Sequence, residues 1–211
     1  MNKYYKLLKK ILDKGQEQKN KKGNIKYLLN EILPMNLEDI LKIITQHPIA
    51  KKKLSKELEL YCSGITSVKN YNEAGINWWD YCAPEMINTY PTYFKKLPAL
   101  IEKINKEKRP SKNYMLFIGE TGVKTSQLPC LSLFQFQISN DKLHITVYQR
   151  SADSNLGLPS DIYHAFLISR MIDIPLENIT FFIGNAHIYA NNIKKTEKLL
   201  NGEKVKFELN V

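Results

Sequence analysis

Apolar residues follow two different periods along the chain. Tyr4, Leu7, Leu8, Ile11 and Leu12 recur at helical spacing with lysines opposite, and Gly15 follows as a stop, so the spacing predicts an amphipathic opening helix. Asn36 with Asp39 resembles a helix start before "ILKIITQ", and a third helix is expected over 51–62. Between the first two, "NKKGNIK" (20–26) reads as a basic loop. From residue 114 the runs become β-branched and aromatic: "YMLFIG", "LSLFQFQI" and "KLHITVYQR" read as strands, the last two joined by "SND" as in a hairpin. A helix from about 160 to 172, a strand "NITFFIG", a helix from about 190 to 201 and a closing alternating run "VKFELNV" complete the prediction. With no repeat and no long linker, this order predicts an α/β (α+β) fold of helices on one mixed sheet, a single domain over 1–211.

Composition narrows the class. Hydrophobic residues make up 43% and charged ones 25% of the 211, values of an ordinary globular chain and not of a disordered one. No apolar run approaches the roughly 20 residues that a membrane helix needs, and "MNKYYKLLKK" lacks the apolar core of a signal peptide. A cytosolic, membrane-free protein is expected. Cys62, Cys82 and Cys130 are odd in number and widely spaced, so free thiols are expected, with neither a disulfide framework nor a metal site. A net charge of +10 raises the question of nucleic acid, but only Arg109, Arg150 and Arg170 among the 31 basic residues are Arg. Specific readers of bases favour Arg for its two-pronged contacts, so a solvated lysine surface is the expectation.

Some residues are not those a plain core would choose. Cys130 follows Pro129 at the head of a strand; it is either buried filler or, with Arg150 close by, a thiol whose pKa a cation lowers toward the nucleophilic thiolate. Glu57 is either a solvated helix position or a buried acid. His187 and Tyr189 sit two apart in "GNAHIYANN", as packing residues or as ligand contacts.

Taken together, these stretches resemble one family, thymidylate synthase and its relatives the deoxycytidylate hydroxymethylases. "LPCLSLFQF" is similar to the family's nucleophile strand, "YQRSAD" to its arginine strand, "LGLP" to its nucleotide-facing helix start and "GNAHIYANN" to its sugar-binding turn. More loosely, "YYKLLKKILDKG" resembles the first helix, "KELELYCSG" the helix of the catalytic glutamate, and "NWWDYCA" the folate-side tryptophan segment. The resemblance implies a two-fold homodimer through its sheets that acts on a pyrimidine nucleoside monophosphate with 5,10-methylenetetrahydrofolate as co-substrate. It implies Cys130 as the nucleophile that adds to C6, Glu57 as the residue that holds water and manages protons, and Asp153 as a contact near base and pterin. It places Arg150 and Ser151 at the phosphate, His187 and Tyr189 at the sugar hydroxyl, Trp79 in the folate pocket and Tyr90 at the site.

The chain departs from the family at several of these positions. Leu131 stands where a histidine usually follows the nucleophile, and Cys82 where a second pocket tryptophan stands. The stretch between about 83 and 112 is shortened, and no folate-closing tail follows "KVKFELNV", so altered folate binding is expected. At the phosphate, where the family uses several arginines, two of them from the partner subunit, Lys21, Lys112 and Asn113 stand instead, and Lys supplies charge without the bidentate fork.

The fourth residue of the run "LPSD" is Asp161, where thymidylate synthases carry an asparagine that pairs with uracil N3–H and O4. Cytosine reverses both groups, so a carboxyl that shares a proton with the ring is the complementary partner. The hydroxymethylases carry the same replacement. The other reading of Asp161 is an acid that complements a helix N-terminus. The expected activity is 5-hydroxymethylation of (deoxy)cytidylate; a thymidylate synthase or cytidylate methylase with an altered pocket and a non-catalytic nucleotide-binding homologue are the alternatives.

Overall fold

The computed structural model describes residues 2–20, 22–123 and 128–209. The opening helix forms as its spacing predicts: α1 (Lys3–Lys14) is capped by the Asn2 side chain, which accepts from the Tyr4 N–H, and it buries Tyr4, Leu7, Leu8 and Ile11. The expected basic loop is instead part of a hairpin. Strand β1 (Gln16–Asn20) turns at Gly23, whose φ of +128° suits only glycine, into the 14-residue β2 (Gly23–Asn36). The reason is tertiary: β2 pairs along most of its length with β7 (Leu176–Tyr189), and that ladder outweighs the weak local signal of "NKKGNIK".

Helices α2 (Leu37–Gln46) and α3 (Lys51–Cys62) follow; Asn36 accepts from the Asp39 N–H, the cap that the sequence suggested. After them in the chain come three helices that periodicity did not single out: α4 (Val68–Glu73), α5 (Tyr90–Phe94) and α6 (Leu97–Glu107). The expected strands are present as β3 (Met115–Phe117), β4 (Leu131–Ser139) and β5 (Lys142–Gln149), with Asn140 and Asp141 both at positive φ in the β4–β5 turn. After the two-residue β6 (Ala152–Asp153), α7 spans Gly157–Arg170, and α8 (Ile193–Leu200) is the last helix. The closing run is not a strand among its described residues. Phe207 is buried and stacks on His47, and the Glu208 backbone bonds to the Asn192 side chain in place of a strand partner.

The strands form one mixed sheet in the order β1-β2-β7-β5-β4-β3, with β6 pairing β7. β5 and β6 both run parallel to β7, so they act as one strand interrupted at Arg150 and Ser151. That interruption needs Gly184 on β7, where a Cβ would stand 2.8 Å from the Arg150 carbonyl oxygen. The expected α+β architecture of helices on a mixed sheet is therefore what forms. One face carries the core: Leu33, Phe181, Val147, Phe134 and Leu116 lie in register across five strands, all buried. No helix among the described residues is long and apolar enough to cross a membrane.

Candidate active site

The site lies where β4 begins and β5 ends, under α3 and α7. Glu57 projects from α3 and is almost wholly buried. Its Oε1 accepts two indole N–H groups, from Trp78 at 2.6 Å and Trp79 at 2.5 Å. On the other side, His164 Nε2 lies 2.9 Å from the Leu54 carbonyl oxygen and 3.4 Å from Glu57 Oε2. A carbonyl only accepts, so Nε2 carries the proton and the same N–H leans on the carboxylate. A buried charge is tolerable when donors surround it, and here they hold one oxygen firmly and the other loosely.

Asp161 is the fifth residue of α7, past the first turn, which holds no acid. It is therefore out of place for complementing the helix N-terminus. Its Oδ2 accepts from Gln149 Nε2 at 2.5 Å. Burial, and secondarily the Glu57 charge, push its carboxyl up to about 7 against the opposing Gln149 hydrogen bond. Near neutrality both protonation forms of this acid are accessible.

Cys130 directly precedes β4, and its carbonyl oxygen accepts from the Arg150 N–H at 2.8 Å. The Arg150 side chain donates to Pro129 O at 3.0 Å and Leu128 O at 2.8 Å, so it holds the backbone that leads to the thiol. Burial pushes the Cys130 thiol up; Arg150 and Lys22 pull it down, and Asp161 and Asp153 push it further up. Tyr90 accepts from the Leu131 N–H at 3.4 Å, and its hydroxyl feels both Asp161 and Cys130. Ser151 lies half-buried between β5 and β6.

Asp153 pairs in register with His187, and its Oδ1 accepts from the Asn155 N–H at 3.0 Å. Burial raises its carboxyl to about 6. His187 Nδ1 lies 3.0 Å from Asn185 Oδ1, which fixes the proton on Nδ1 and leaves Nε2 as an acceptor; burial lowers this imidazole to about 4, so it is neutral. Tyr189 meets His187 edge-on at 5.1 Å and feels the charges of Asp153 and Cys130. Cys130, Arg150, Asp153, Asp161, Glu57 and Tyr189 thus form one electrostatically connected group. An aromatic cluster borders it: the Trp79 ring lies 5.5 Å from Tyr90, nearly edge-on, and 5.8 Å from the exposed Tyr81, tilted by 39°.

Of the two lysine phosphate candidates, the described one does not join this group. Lys21 lies outside the described residues. Lys112 is exposed on the segment before β3, where its carbonyl accepts from Gln135 at 3.4 Å on the open face of the sheet. Sequence reasoning passed over Trp78, Gln149, His164 and Lys22. Gln149 did leave a signal: it continues the inward alternation Leu143, Ile145, Val147 of β5, where an amide is out of pattern. Lys22, at the hairpin tip, stands 5.0 Å over the Tyr81 ring and acts on the Cys130 thiol.

A family model described as thymidylate synthase matches residues 2–210. With that match and a mixed sheet carrying a cysteine, an arginine and buried carboxyls around one group, the chain belongs to the thymidylate synthase family, whose chemistry is one-carbon transfer to C5 of a pyrimidine nucleotide with methylenetetrahydrofolate as co-substrate.

Proposed function

We propose that this chain is a (deoxy)cytidylate 5-hydroxymethylase. The observation that carries the reading is Asp161, a carboxyl held by Gln149 next to Glu57 and Cys130, with a pKa of about 7. A neutral acid donates to cytosine N3 and accepts from the exocyclic amino group, which the asparagine amide of a uracil reader does less well. In this reading the Cys130 sulfur adds to C6 of the base, which makes C5 nucleophilic toward the one-carbon unit, and water completes the hydroxymethyl group. Methylenetetrahydrofolate supplies that unit when bound, and Trp79 with Asp153 would hold its pterin. Glu57, fixed through Oε1 by two indoles, keeps Oε2 to order water and move protons. His187 offers its Nε2 lone pair, and Tyr189 its hydroxyl, to the sugar. Arg150 and Ser151 would bind the phosphate.

A two-fold homodimer belongs to the same proposal. Opposite the core, Ile32, Phe182, Tyr148, Leu133 and Phe117 form a second row in register across the same five strands, and no helix among the described residues covers it. Exposures of 58% at Ile32, 39% at Phe182, 45% at Tyr148 and 65% at Phe117 make this a continuous apolar surface of the kind that a second sheet covers. Lys112 sits beside that face and would reach the partner's phosphate site.

The test is to incubate the protein with C5-tritiated deoxycytidylate, cytidylate and deoxyuridylate, with and without methylenetetrahydrofolate, and to follow tritium release and product mass. Folate-dependent release from a cytosine nucleotide with a hydroxymethyl product is expected. A methyl product, or preference for deoxyuridylate, would replace this reading by thymidylate synthesis or cytosine methylation. No release from any nucleotide would leave a non-catalytic binder.

A further inference from the structure

Asp161 on its own does not settle which base the pocket prefers. A neutral carboxyl has one O–H and one C=O, and it can pair with cytosine or, with the proton moved to the other oxygen, with uracil. The choice depends on which oxygen holds the proton. Gln149 controls this. It is wholly buried at the end of β5, and its Nε2 donates to Asp161 Oδ2 at 2.5 Å. An oxygen that already receives an N–H is the poorer place for the proton, since a carbonyl oxygen accepts a hydrogen bond better than a carboxylic hydroxyl oxygen does. The second lone pair of Oδ2 remains for a ring amino group.

The other end of the amide breaks the remaining symmetry. Gln149 Oε1 is buried and has no hydrogen-bond partner among the described residues. Turning the amide over would put Nε2 in that position. A buried N–H without an acceptor is rarer, and costs more, than a carbonyl without a donor. The N–H end therefore stays on Asp161.

We propose that Gln149 is a specificity-determining positioning residue that acts through Asp161, keeping the acid's proton on Oδ1 and so biasing the pocket toward cytosine and against uracil. This rests on the reading of Asp161 as the base contact. The pocket then discriminates by a pair of residues from β5 and α7, and an aspartate at position 161 without the glutamine would accept either base.

The experiment uses the full chain and two substitutions. Gln149→Met keeps the volume and removes both polar ends; Gln149→Glu keeps the shape and replaces the N–H by an oxygen that competes with Oδ1 for the proton. The readout is the ratio of C5 tritium release, and of binding constants, for deoxycytidylate against deoxyuridylate. Each variant is expected to lower the cytosine-to-uracil ratio by about ten-fold, the size of one mispaired buried contact. A merely structural role would slow both nucleotides equally and leave the ratio in place; that outcome overturns the inference. If the Met variant does not fold, the isosteric Glu variant decides. A parent protein with no cytosine preference would overturn the Asp161 reading first. A parent that prefers cytosine, with variants that keep the preference, would overturn only the role of Gln149.

Discussion

The two faces of the sheet carry neighbouring rows of similar residues with opposite fates. On one, Leu33, Phe181, Val147, Phe134 and Leu116 are sealed under helices; one residue along each strand, Ile32, Phe182, Tyr148, Leu133 and Phe117 look outward. Both rows are apolar, so strand alternation here does not separate core from solvent. It separates a surface closed by this chain from one that no helix among the described residues covers. The candidate site sits on the closed side, where Gln149, Asp161 and Glu57 interrupt the apolar packing and a buried polar atom without a partner carries a cost.

The strongest break of the closed side is Cys130→Ala. Tritium release from C5 should fall to background, because without addition at C6 the ring carbon is not activated, while sedimentation and thermal unfolding stay as in the parent. Exchange at the parent rate would remove Cys130 from the chemistry.

Next comes the packing contrast itself. Phe134→Ala on the closed face should cost about 3–5 kcal/mol of stability, whereas Phe117→Ala on the open face should stay within about 0.5 kcal/mol in dilute monomer. Denaturant melts of both variants check this, and equal losses would show that the open row is closed within the chain. Phe182→Glu should weaken self-association by about thirty-fold or more, at roughly 2 kcal/mol for a central aromatic contact, as read by analytical ultracentrifugation. An unchanged parent-like association would place the interface elsewhere.

Asp161→Asn should move preference from cytosine toward uracil by about ten-fold to a hundred-fold in the ratio of tritium release, each mispaired buried group costing roughly 1–3 kcal/mol. With Leu131 behind the exocyclic group, uracil O4 lacks one further donor, so a shift is expected and not a full exchange of activities.

The smallest effect is on pH. The Asp161 carboxyl is raised from 3.8 to about 7 by burial and secondarily by the Glu57 charge from α3, against the Gln149 hydrogen bond from β5; the Tyr90 and Cys130 side chains face it as well. The folded state thus holds a proton that the unfolded state has lost, and Asp161's contribution to stability falls as pH rises from about 4 to about 7. Thermal midpoints of Asp161→Asn relative to the parent should therefore climb between pH 5 and pH 8. A constant difference would mean that Asp161 titrates normally.

Much of this protein is local and was legible in the chain. The spacing of Tyr4, Leu7, Leu8 and Ile11 determined α1, the Asn36 cap determined the start of α2, and the "SND" turn determined the β4–β5 hairpin, because each rests on contacts within a few residues. The motif residues Cys130, Arg150 and Asp161 stand out by chemical type in the sequence itself. Long-range pairing decided the rest. β2 is a strand because β7 lies beside it, and "VKFELNV" is not one because Phe207 and Glu208 find His47 and Asn192 instead of a strand partner. Likewise, only packing could show that two indoles converge on one oxygen of Glu57, or that Gln149 points its N–H at Asp161. A residue's type sets what it can donate, accept or bury; which partner it meets across the sheet is a property of the whole fold.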